Sequence, residues 1–450
     1  MKKVFSGSKY LFLFLFCFVL CCFTYSVITS DAIWNFGFSY AIARGEVPYV
    51  DFNMVVPPFS PFVYLIPFLF SHSYVAYLLF HSMLFVVLFY FLEKLFGNKV
   101  YLLLIFLLLP FPVGNVMISL PGYNFLLLLL FVIILYCEKN KKSDYFIGIL
   151  LGLCIFTKQS VGVCLCLPSL YYLFKNRKRF FKRFLGIFTV CCFFLVYFLI
   201  AGNLLEFLNH CLFGLIDFSN KNGGRIFTNS YFWLWLLLVL ILFYFLVKKN
   251  HKLLTGYLLC FSIVSIPIFD HYHTYLFMFV FLLLVISKIS WNNKWLTLWC
   301  LTFSFFFYVF SLGIVTNFQI PYISSFHNFE IMKINKSGEK EIQEFNNCLK
   351  KFDKDDIIFF MGNAYFFKIM NEMDITYYDL LNYGNHGYHG TERILNQFKK
   401  EKGKIVILDR FEYQNIEETN QMNMDIVNYV LENYQLIDVI GTYEFYQKLS

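Results

Sequence analysis

Long runs of apolar residues occupy most of the first 320 residues and limit the folds that this chain can adopt. Eleven runs are bounded by charged or turn residues, at 10–28, 74–92, 100–113, 123–137, 145–157, 160–174, 184–201, 231–247, 253–269, 274–287 and 295–315. A helix that crosses a bilayer needs about 20 apolar residues. Only 15% of all residues are charged, against roughly a quarter in soluble domains. The sequence therefore predicts an all-α, polytopic membrane domain with eleven transmembrane helices.

Two of the runs, 145–157 and 160–174, are shorter than a full membrane span. We expect them to form a hairpin whose polar tip, Thr157 to Ser160, lies at membrane depth. Irregular backbone is tolerated there only when it is buried in protein or lines a water-filled cavity. The short run 59–70 contains two prolines and is predicted to lie beside the membrane instead of crossing it.

The distribution of basic residues predicts the orientation. With the N-terminus inside and the runs alternating across the membrane, 19 Lys and Arg residues fall inside and 4 fall outside. Basic residues are enriched in cytoplasmic loops. We therefore predict a multi-pass protein of the cell membrane with a cytoplasmic N-terminus and, because the number of spans is odd, an extracytoplasmic C-terminus. This asymmetry also accounts for the net charge of +8, so we predict membrane lipid and no nucleic acid as a partner.

The C-terminal part of the chain is more polar and has a different pattern. Helix-like stretches fall near 338–350 and 389–401, and short apolar runs typical of buried strands fall at 357–361, 405–408 and 436–446. Strands that alternate with helices indicate a small α/β domain. We predict two domains: a transmembrane domain at 1–321, with its first outer loop at 29–73, and an extracytoplasmic α/β domain at 322–450.

The chain has 13 cysteines, but their positions do not indicate a set of disulfides. Most of them, including Cys17, Cys21 and Cys22, lie inside apolar runs, where cysteine behaves as a small hydrophobic residue. Cys348 is the one cysteine of the C-terminal domain, which therefore has no internal disulfide. Outside the apolar runs, no spacing typical of a zinc site occurs.

The first outer loop is the most polar segment between predicted spans. It holds Asp31, Arg44 and Asp51, and ionisable groups near membrane depth are costly and so are functional candidates. Asp31 directly follows the first apolar run, at the boundary between membrane and water. A partly desolvated carboxylate has a raised pKa and is a better general base. The alternative is that Asp31 caps the N-terminus of a helix.

The loop resembles the first extracytoplasmic loop of the GT-C class of membrane glycosyltransferases, which includes protein mannosyltransferases and aminoarabinose transferases. Members have an opening acidic residue, a Gly-x-Pro-Tyr-x-Asp-like stretch and a Pro-Pro pair. Asp31, Gly45 to Asp51 and Pro57-Pro58 match these features. The stretch has one additional residue between its Gly and its Pro. Many members have Asp-Glu where this chain has Asp31-Ala32, which puts a paired-carboxylate metal site in doubt.

The resemblance extends to the tip of the predicted hairpin. A Lys-Gln-[Ser/Thr]-Gly-like segment recurs in related bacterial proteins, and here it begins at Lys158 and Gln159. A compact ammonium at membrane depth suits the phosphate of a lipid-linked donor. The alternative is a lysine at a helix end whose side chain reaches out to the membrane surface.

Further residues of the predicted outer face are candidates for substrate contact, each with an alternative. Asp51 would orient the acceptor or share a metal, or it is a carboxylate that stabilises a turn. His271, Tyr272 and His273 precede a span, as His-Tyr pairs do in GT-C members. The alternatives are that the two histidines bind a metal, or that the segment belongs to a belt of interfacial aromatic residues and histidines. Arg44, Tyr49 and Arg225 complete the candidates, and a solvated loop is the alternative for Arg225.

The resemblance implies an inverting hexosyl- or pentosyltransferase of the cell envelope. It would move a sugar from a polyprenyl-phosphate donor to a glycan, lipid or protein acceptor, with Asp31 as the general base. No cofactor is required by this reading, although a divalent metal is compatible with it. The alternatives are a transporter or flippase of envelope lipid or glycan, and a non-catalytic scaffold of envelope assembly. No inverted repeat of the kind that many transporters have is evident.

Overall fold

The fold is mostly helical, with a small sheet near the C-terminus. It is seen in a computed structural model that describes residues 2–24, 30–104, 121–216, 226–248, 252–266, 268–269, 271–288, 294–295, 297–303, 322–323, 326–332, 336–380, 386–401, 404–414 and 424–449. These residues include parts of every apolar run of the sequence.

The α-helices of the first part of the described chain run from the N-terminus to the last apolar runs. They are α1 Lys2–Thr24, α2 Ser30–Ala43, α3 Phe59–Val63, α4 Tyr74–Phe96, α5 Tyr123–Lys139, α6 Asp144–Ile155, α7 Gln159–Lys175, α8 Arg177–Ile200, α9 Leu204–Leu208, α10 Ser230–Val247, α11 Lys252–Phe261 and α12 His271–Lys288. Residues 297–303 are also helical.

Three helices in the described ranges are long and apolar enough to cross a membrane: Tyr74–Leu104, Arg177–Ile200 and Ser230–Val247. Several further apolar helices are shorter, among them Gly7–Cys22 and His273–Ser287. The prediction that this part is helical, with apolar helices, is therefore confirmed. The predicted number of eleven spans is not confirmed. The run 59–70 forms α3 and a 3-10 turn at Ile66–Leu69, which are too short to cross a bilayer.

Helices α6 and α7 form the hairpin that the short apolar runs predict, and α8 packs against it. A Cβ atom on Gly162 would lie 2.3 Å from the Ile155 nitrogen, so the two arms approach at a distance that only glycine allows. A Cβ on Gly148 would lie 2.1 Å from the Arg183 carbonyl oxygen. Small residues permit this close approach of helices in membranes, and they fix the tip of the hairpin relative to α8.

A buried network of charged side chains lies at the other end of α6 and α8, away from the hairpin tip. The Arg183 side chain is fully buried, forms an ion pair with Glu138 and lies 2.8 Å from a carboxylate oxygen of Asp144. Arg179 contacts the same Asp144 carboxylate at 2.9 Å. Buried charges are tolerated when they are paired and hydrogen-bonded, and these residues belong to the predicted inner ends of the spans.

The C-terminal part contains five short helices, a two-stranded sheet and a four-stranded sheet in the described ranges. They are α13 Lys336–Leu349, α14 Ala364–Met370, α15 Gly390–Phe398, α16 Arg410–Gln414, α17 Met424–Asn433, β1 Tyr322–Ile323, β2 Ile331–Met332, β3 Ile357–Phe360, β4 Ile405–Asp409, β5 Tyr434–Ile440 and β6 Tyr443–Lys448. The four-stranded sheet has the order β3-β4-β6-β5, in which β3 and β4 are parallel and the other neighbours are antiparallel.

Both faces of this sheet are covered, which explains why its two central apolar runs are continuous instead of alternating. Phe359 and Ile407 pack into the main hydrophobic core on one face. Phe360 and Leu408 pack with α15 and α17 on the other. The strands predicted at 357–361 and 405–408 are thus confirmed. The single strand predicted at 436–446 is wrong: two strands, β5 and β6, turn at Gly441, whose φ of +60° favours glycine.

Candidate active site

Asp31 lies in the first turn of α2, as expected from its place directly after the first apolar run. Its side chain is exposed. It lines a narrow cleft of about 30 Å³ together with Asn35 on α2 and with residues 121–125, where α5 begins. This volume admits about one water molecule, so a sugar enters only when the walls of the cleft separate. The partial desolvation expected for Asp31 would then have to come from the bound substrates.

Gly122 allows the start of α5 to lie against α2. Its φ of +153° strains any larger residue, and a Cβ there would lie 3.0 Å from the Asn35 side chain, which would have to shift. Asn35 in turn donates from its Nδ2 to the Asp31 carbonyl oxygen at 2.7 Å. The wall of the cleft that faces Asp31 therefore has a backbone shape that depends on this glycine.

Lys158, at the tip of the α6–α7 hairpin, contacts two residues that line this cleft. Its Nζ donates to Asn124 Oδ1 at 3.3 Å and to the Val264 carbonyl oxygen at 3.5 Å, and it lies 5.5 Å from the centre of the Tyr123 ring. Asn124 itself lines the cleft and is 8% exposed. Asn124 thus connects the ammonium of Lys158 to the cleft that contains Asp31.

The backbone around Lys158 adds to the positive potential. Lys158 is the residue before α7, and its carbonyl accepts the first intrahelical bond from Gly162. The first N–H groups of a helix have no partner within the helix, and with the helix dipole they favour an anion. The ammonium and the helix N-terminus together suit a phosphate group, and phosphate binding by Lys158 stays a prediction.

The first outer loop packs against the hairpin tip. Gln159 Nε2 donates to the carbonyl oxygens of Cys211 at 3.0 Å and Val55 at 3.4 Å. The Phe59 amide donates to the Phe156 carbonyl at 3.0 Å. The amide of Gln159 is therefore engaged within the protein, and the geometry favours a role in joining the loop to the tip.

Tyr49 and Asp51 hold the loop in shape. The Tyr49 side chain is fully buried, and its hydroxyl donates to the Val56 carbonyl at 2.7 Å. Asp51 Oδ2 accepts from the Val47 amide at 2.6 Å. This contact is the one expected of a turn carboxylate, the alternative that the sequence left open for Asp51. The geometry of both residues favours a positioning role over substrate contact.

The C-terminal part packs on the outer loop and on the segment that follows α8. The Arg44 guanidinium forms an ion pair with the Asp374 carboxylate at 2.7 Å. Asn53 Nδ2 donates to the Tyr377 carbonyl at 2.7 Å. Further along, Arg393 and Glu206 form an ion pair at 2.9 Å. These contacts place the C-terminal sheet and its helices over the loop that begins at Asp31.

Glu46 is a largely buried carboxylate at the contact between the outer loop and the C-terminal part. Its Oε1 accepts from the Ile375 amide at 3.4 Å, and its Oε2 is buried with no hydrogen-bond partner among the residues that the structure describes. Burial raises the pKa of Glu46 to about 7, and the nearby Asp374 carboxylate adds to the effect. Arg44 and Lys368 oppose it. Glu46 therefore resists ionisation in the folded chain.

We expect Glu46→Gln to stabilise the protein at high pH. The folded pKa lies above the ordinary value of 4.5, so the wild-type chain loses stability as pH rises from about 4.5 to about 7. Gln does not titrate. The melting temperature of the variant minus that of the wild type should grow across this range and level off above it. Glu392→Gln, at an exposed position, is the control, and an equal difference at pH 4.5 and pH 8 would contradict the assignment.

Two neighbouring residues, Val264 and Ser265, link the His-Tyr-His segment to Lys158. Helix α12 begins at His271, and the His273 carbonyl accepts from the Ser265 hydroxyl at 3.3 Å. Ser265 follows Val264, whose carbonyl contacts Lys158. The His273 side chain is half-buried. Only the backbone of His271 and Tyr272 is described, and Arg225 lies outside the described residues.

A divalent cation finds few acidic ligands at the cleft. Of the described residues that line it, Asp31 is the one carboxylate, while Asp51 is engaged by the loop backbone. This donor set fits a paired-carboxylate metal site poorly, as the Asp31-Ala32 sequence also indicates. We assign no step of the reaction to a metal.

The sequence analysis missed three cleft residues that have polar side chains: Asn35, Tyr123 and Asn124. A signal for two of them was present. Pro121-Gly122-Tyr123-Asn124 interrupts two apolar runs with turn and polar residues, as the segment from Thr157 to Ser160 does. Asn35 lies within a helix and has no local pattern that distinguishes it.

Comparison with known structures supports the fold. The chain is similar to ArnT from Cupriavidus metallidurans bound to undecaprenyl phosphate, with 11% identity, a TM-score of 0.58 and coverage of 100% of this chain and 98% of that one. The apo state of the same protein gives 10% identity, a TM-score of 0.51 and coverage of 99% and 98%. No family model and no curated protein sequence matches the chain. The chain therefore has the fold of ArnT, a GT-C glycosyltransferase, and the GT-C resemblance of its sequence is confirmed at the level of the fold.

Proposed function

We propose that this protein is a membrane glycosyltransferase that moves a hexose or pentose from polyprenyl phosphate to an acceptor of the cell envelope. The observation that carries the proposal is that Asp31 and Asn124 line one cleft and that the Lys158 ammonium donates to Asn124 at 3.3 Å. These residues come from three separate elements of the membrane part. Undecaprenyl phosphate bound to ArnT, whose fold this chain shares, supports a polyprenyl-linked donor.

In the proposed reaction Asp31 accepts the proton of the acceptor hydroxyl. The acceptor oxygen attacks the anomeric carbon of the sugar, and the bond from that carbon to the phosphate oxygen breaks with inversion. Polyprenyl phosphate departs with the electron pair. The Lys158 ammonium and the N–H groups at the start of α7 stabilise the charge that develops on this phosphate.

The proposed site lies on the outer face of the membrane. Residues 1–321 would form the transmembrane domain and residues 322–450 an extracytoplasmic domain that covers the acceptor side. The buried Arg183 network then lies at the inner ends of α5, α6 and α8, where the excess of basic residues also falls. Binding of the donor from the outer leaflet would bring its phosphate to Lys158.

Reporter fusions test this orientation. A fusion after Lys248 is expected to report a cytoplasmic position and a fusion after Leu449 an extracytoplasmic one, because the basic residues are concentrated in the predicted inner segments. A signal from outside at Lys248, or from inside at Leu449, would contradict the proposed topology.

The function is tested by searching for the product. Mass spectrometry of envelope glycans, lipids and proteins from cells with and without the gene should reveal a missing glycosyl residue. The purified protein in lipid nanodiscs should then release undecaprenyl phosphate from the corresponding lipid-linked sugar only when the acceptor is present. Movement of a lipid-linked sugar across a vesicle membrane, without a new glycosidic bond, would instead show a flippase.

A further inference from the structure

Two cysteines of α1 and a histidine of α4 meet inside the helical core. Cys17, Cys21 and His81 each offer one ligand atom, and these atoms all lie within 4.8 Å of one another. The three side chains are between 0% and 2% exposed. Cys17 and Cys21 are four residues apart, so they lie on the same face of α1, and that face is turned towards α4.

The chemistry and spacing of this group match a zinc site. Thiolate and imidazole are the preferred ligands of Zn²⁺, and bond lengths of about 2.3 Å to sulfur and about 2.0 Å to nitrogen place tetrahedral ligands roughly 3.5–3.8 Å apart. The limit of 4.8 Å for the ligand atoms means that small rotations of the side chains suffice to bind the ion.

Neighbouring groups complete the arrangement. Tyr64 forms a hydrogen bond of 2.8 Å with His81 Nδ1, and in the tautomer in which Nδ1 donates this bond, Nε2 is the nitrogen for a metal. Histidines that bind metals are held in this way by a partner on the other ring nitrogen. Ser82 contacts the Cys17 thiol, and its hydroxyl donates to the Leu78 carbonyl at 2.8 Å. Where a zinc ion has three protein ligands, water takes the fourth position, and the Ser82 hydroxyl is able to accept a hydrogen bond from such a water.

The charge of the three ligands favours Zn²⁺ over Cu⁺. Two thiolates and a neutral imidazole cancel the charge of Zn²⁺, whereas they leave a net negative charge around Cu⁺. An uncompensated charge in an apolar core is costly. The competing explanation is that the two thiols and the imidazole only form weak hydrogen bonds within the core, with cysteine as a small hydrophobic residue.

We propose that Cys17, Cys21 and His81 form a structural Zn²⁺ site that joins α1 to α4. The site would lie directly behind the wall of the cleft, because the His81 ring centre is 4.4 Å from that of Phe125 and Phe125 lines the cleft. The ion would fix the position of α4 behind the start of α5. It is separate from the chemistry proposed for Asp31 and Lys158.

Metal analysis of the full-length protein tests the proposal. The protein is purified in detergent, incubated with Zn²⁺ and desalted, and zinc per chain is measured. We expect one zinc per wild-type chain and at least about a tenfold lower content in Cys17→Ser and Cys21→Ser. Cys22→Ser is the matched control, because Cys22 is buried on the same helix but is not part of the group, and it should retain zinc as the wild type does.

A spectroscopic measurement covers the case in which the variants fail to fold. Wild-type protein stripped of metal and reconstituted with Co²⁺ should show thiolate-to-cobalt charge-transfer absorption, which added Zn²⁺ should abolish. Absence of both bound zinc and this absorption in the wild type would overturn the proposal. So would equal zinc content in folded Cys17→Ser and Cys22→Ser, or copper in place of zinc in the wild type.

Discussion

Asp31→Asn is expected to lower the rate of sugar transfer at least about a hundredfold, because general-base catalysis typically contributes about 10²–10⁴-fold. The amide has nearly the size of the carboxylate but does not accept the acceptor proton at neutral pH. Asp31 lies in the first turn of α2, where a negative charge interacts favourably with the helix dipole, so its loss should cost less than about 1 kcal/mol of stability. The rate with saturating lipid-linked donor is the quantity to measure.

Asp51→Asn provides the matched control for this experiment. Asp51 is a carboxylate of the same outer loop, but its Oδ2 accepts from the Val47 amide, and an Asn oxygen preserves that bond. We expect a change of only a fewfold in its transfer rate. An Asp31→Asn variant that folds, binds undecaprenyl phosphate and transfers sugar at the wild-type rate would contradict the catalytic role. Asp31 would then only stabilise the start of α2. If that variant does not fold, Asp31→Ser repeats the test with another residue that suits a helix start.

The sequence predicts those parts of the fold whose physical cause is local. The strands at Ile357 and Ile405 follow from apolar runs that are buried on both faces, and the hairpin follows from a polar tip between two short apolar runs. The turn at Gly441 was missed because β5 and β6 are separated by only two residues. The backbone angle that shows the turn, the positive φ of Gly441, is known only from the structure.

The geometry of the candidate site could be predicted only in part, because it depends on contacts between distant segments. Asp31 and Lys158 were identified from their place next to apolar runs, but the residue that links them, Asn124, comes from a third element. Arg44 has the appearance of a substrate-binding residue in the sequence, and its pairing with Asp374 depends on how the C-terminal part folds back. The contact of Cys17 with His81 arises in the same way, from the packing of one helix on another.

Lys158→Met is expected to weaken binding of the lipid donor while leaving the acceptor site intact. Met keeps the length and apolar character of the side chain, so the hairpin tip should remain packed, but it removes the ammonium that donates to Asn124. A hydrogen bond to a charged group contributes about 1.5–3 kcal/mol, which corresponds to roughly a 10- to 150-fold loss of affinity. Binding of undecaprenyl phosphate to the protein in nanodiscs measures this effect without any knowledge of the sugar.

Two comparison variants separate the role of Lys158 from a general effect of charge. Lys175→Met removes a cation from the other end of the same helix, α7, and should leave the affinity for undecaprenyl phosphate unchanged. Lys158→Arg keeps the charge but replaces a compact ammonium with a planar guanidinium, so it should retain part of the affinity. The start of α7 still favours an anion in every variant, which is why binding should fall and not vanish. If folded Lys158→Met binds undecaprenyl phosphate as tightly as Lys175→Met does, then Lys158 only reaches towards the membrane surface, and the phosphate must be held elsewhere.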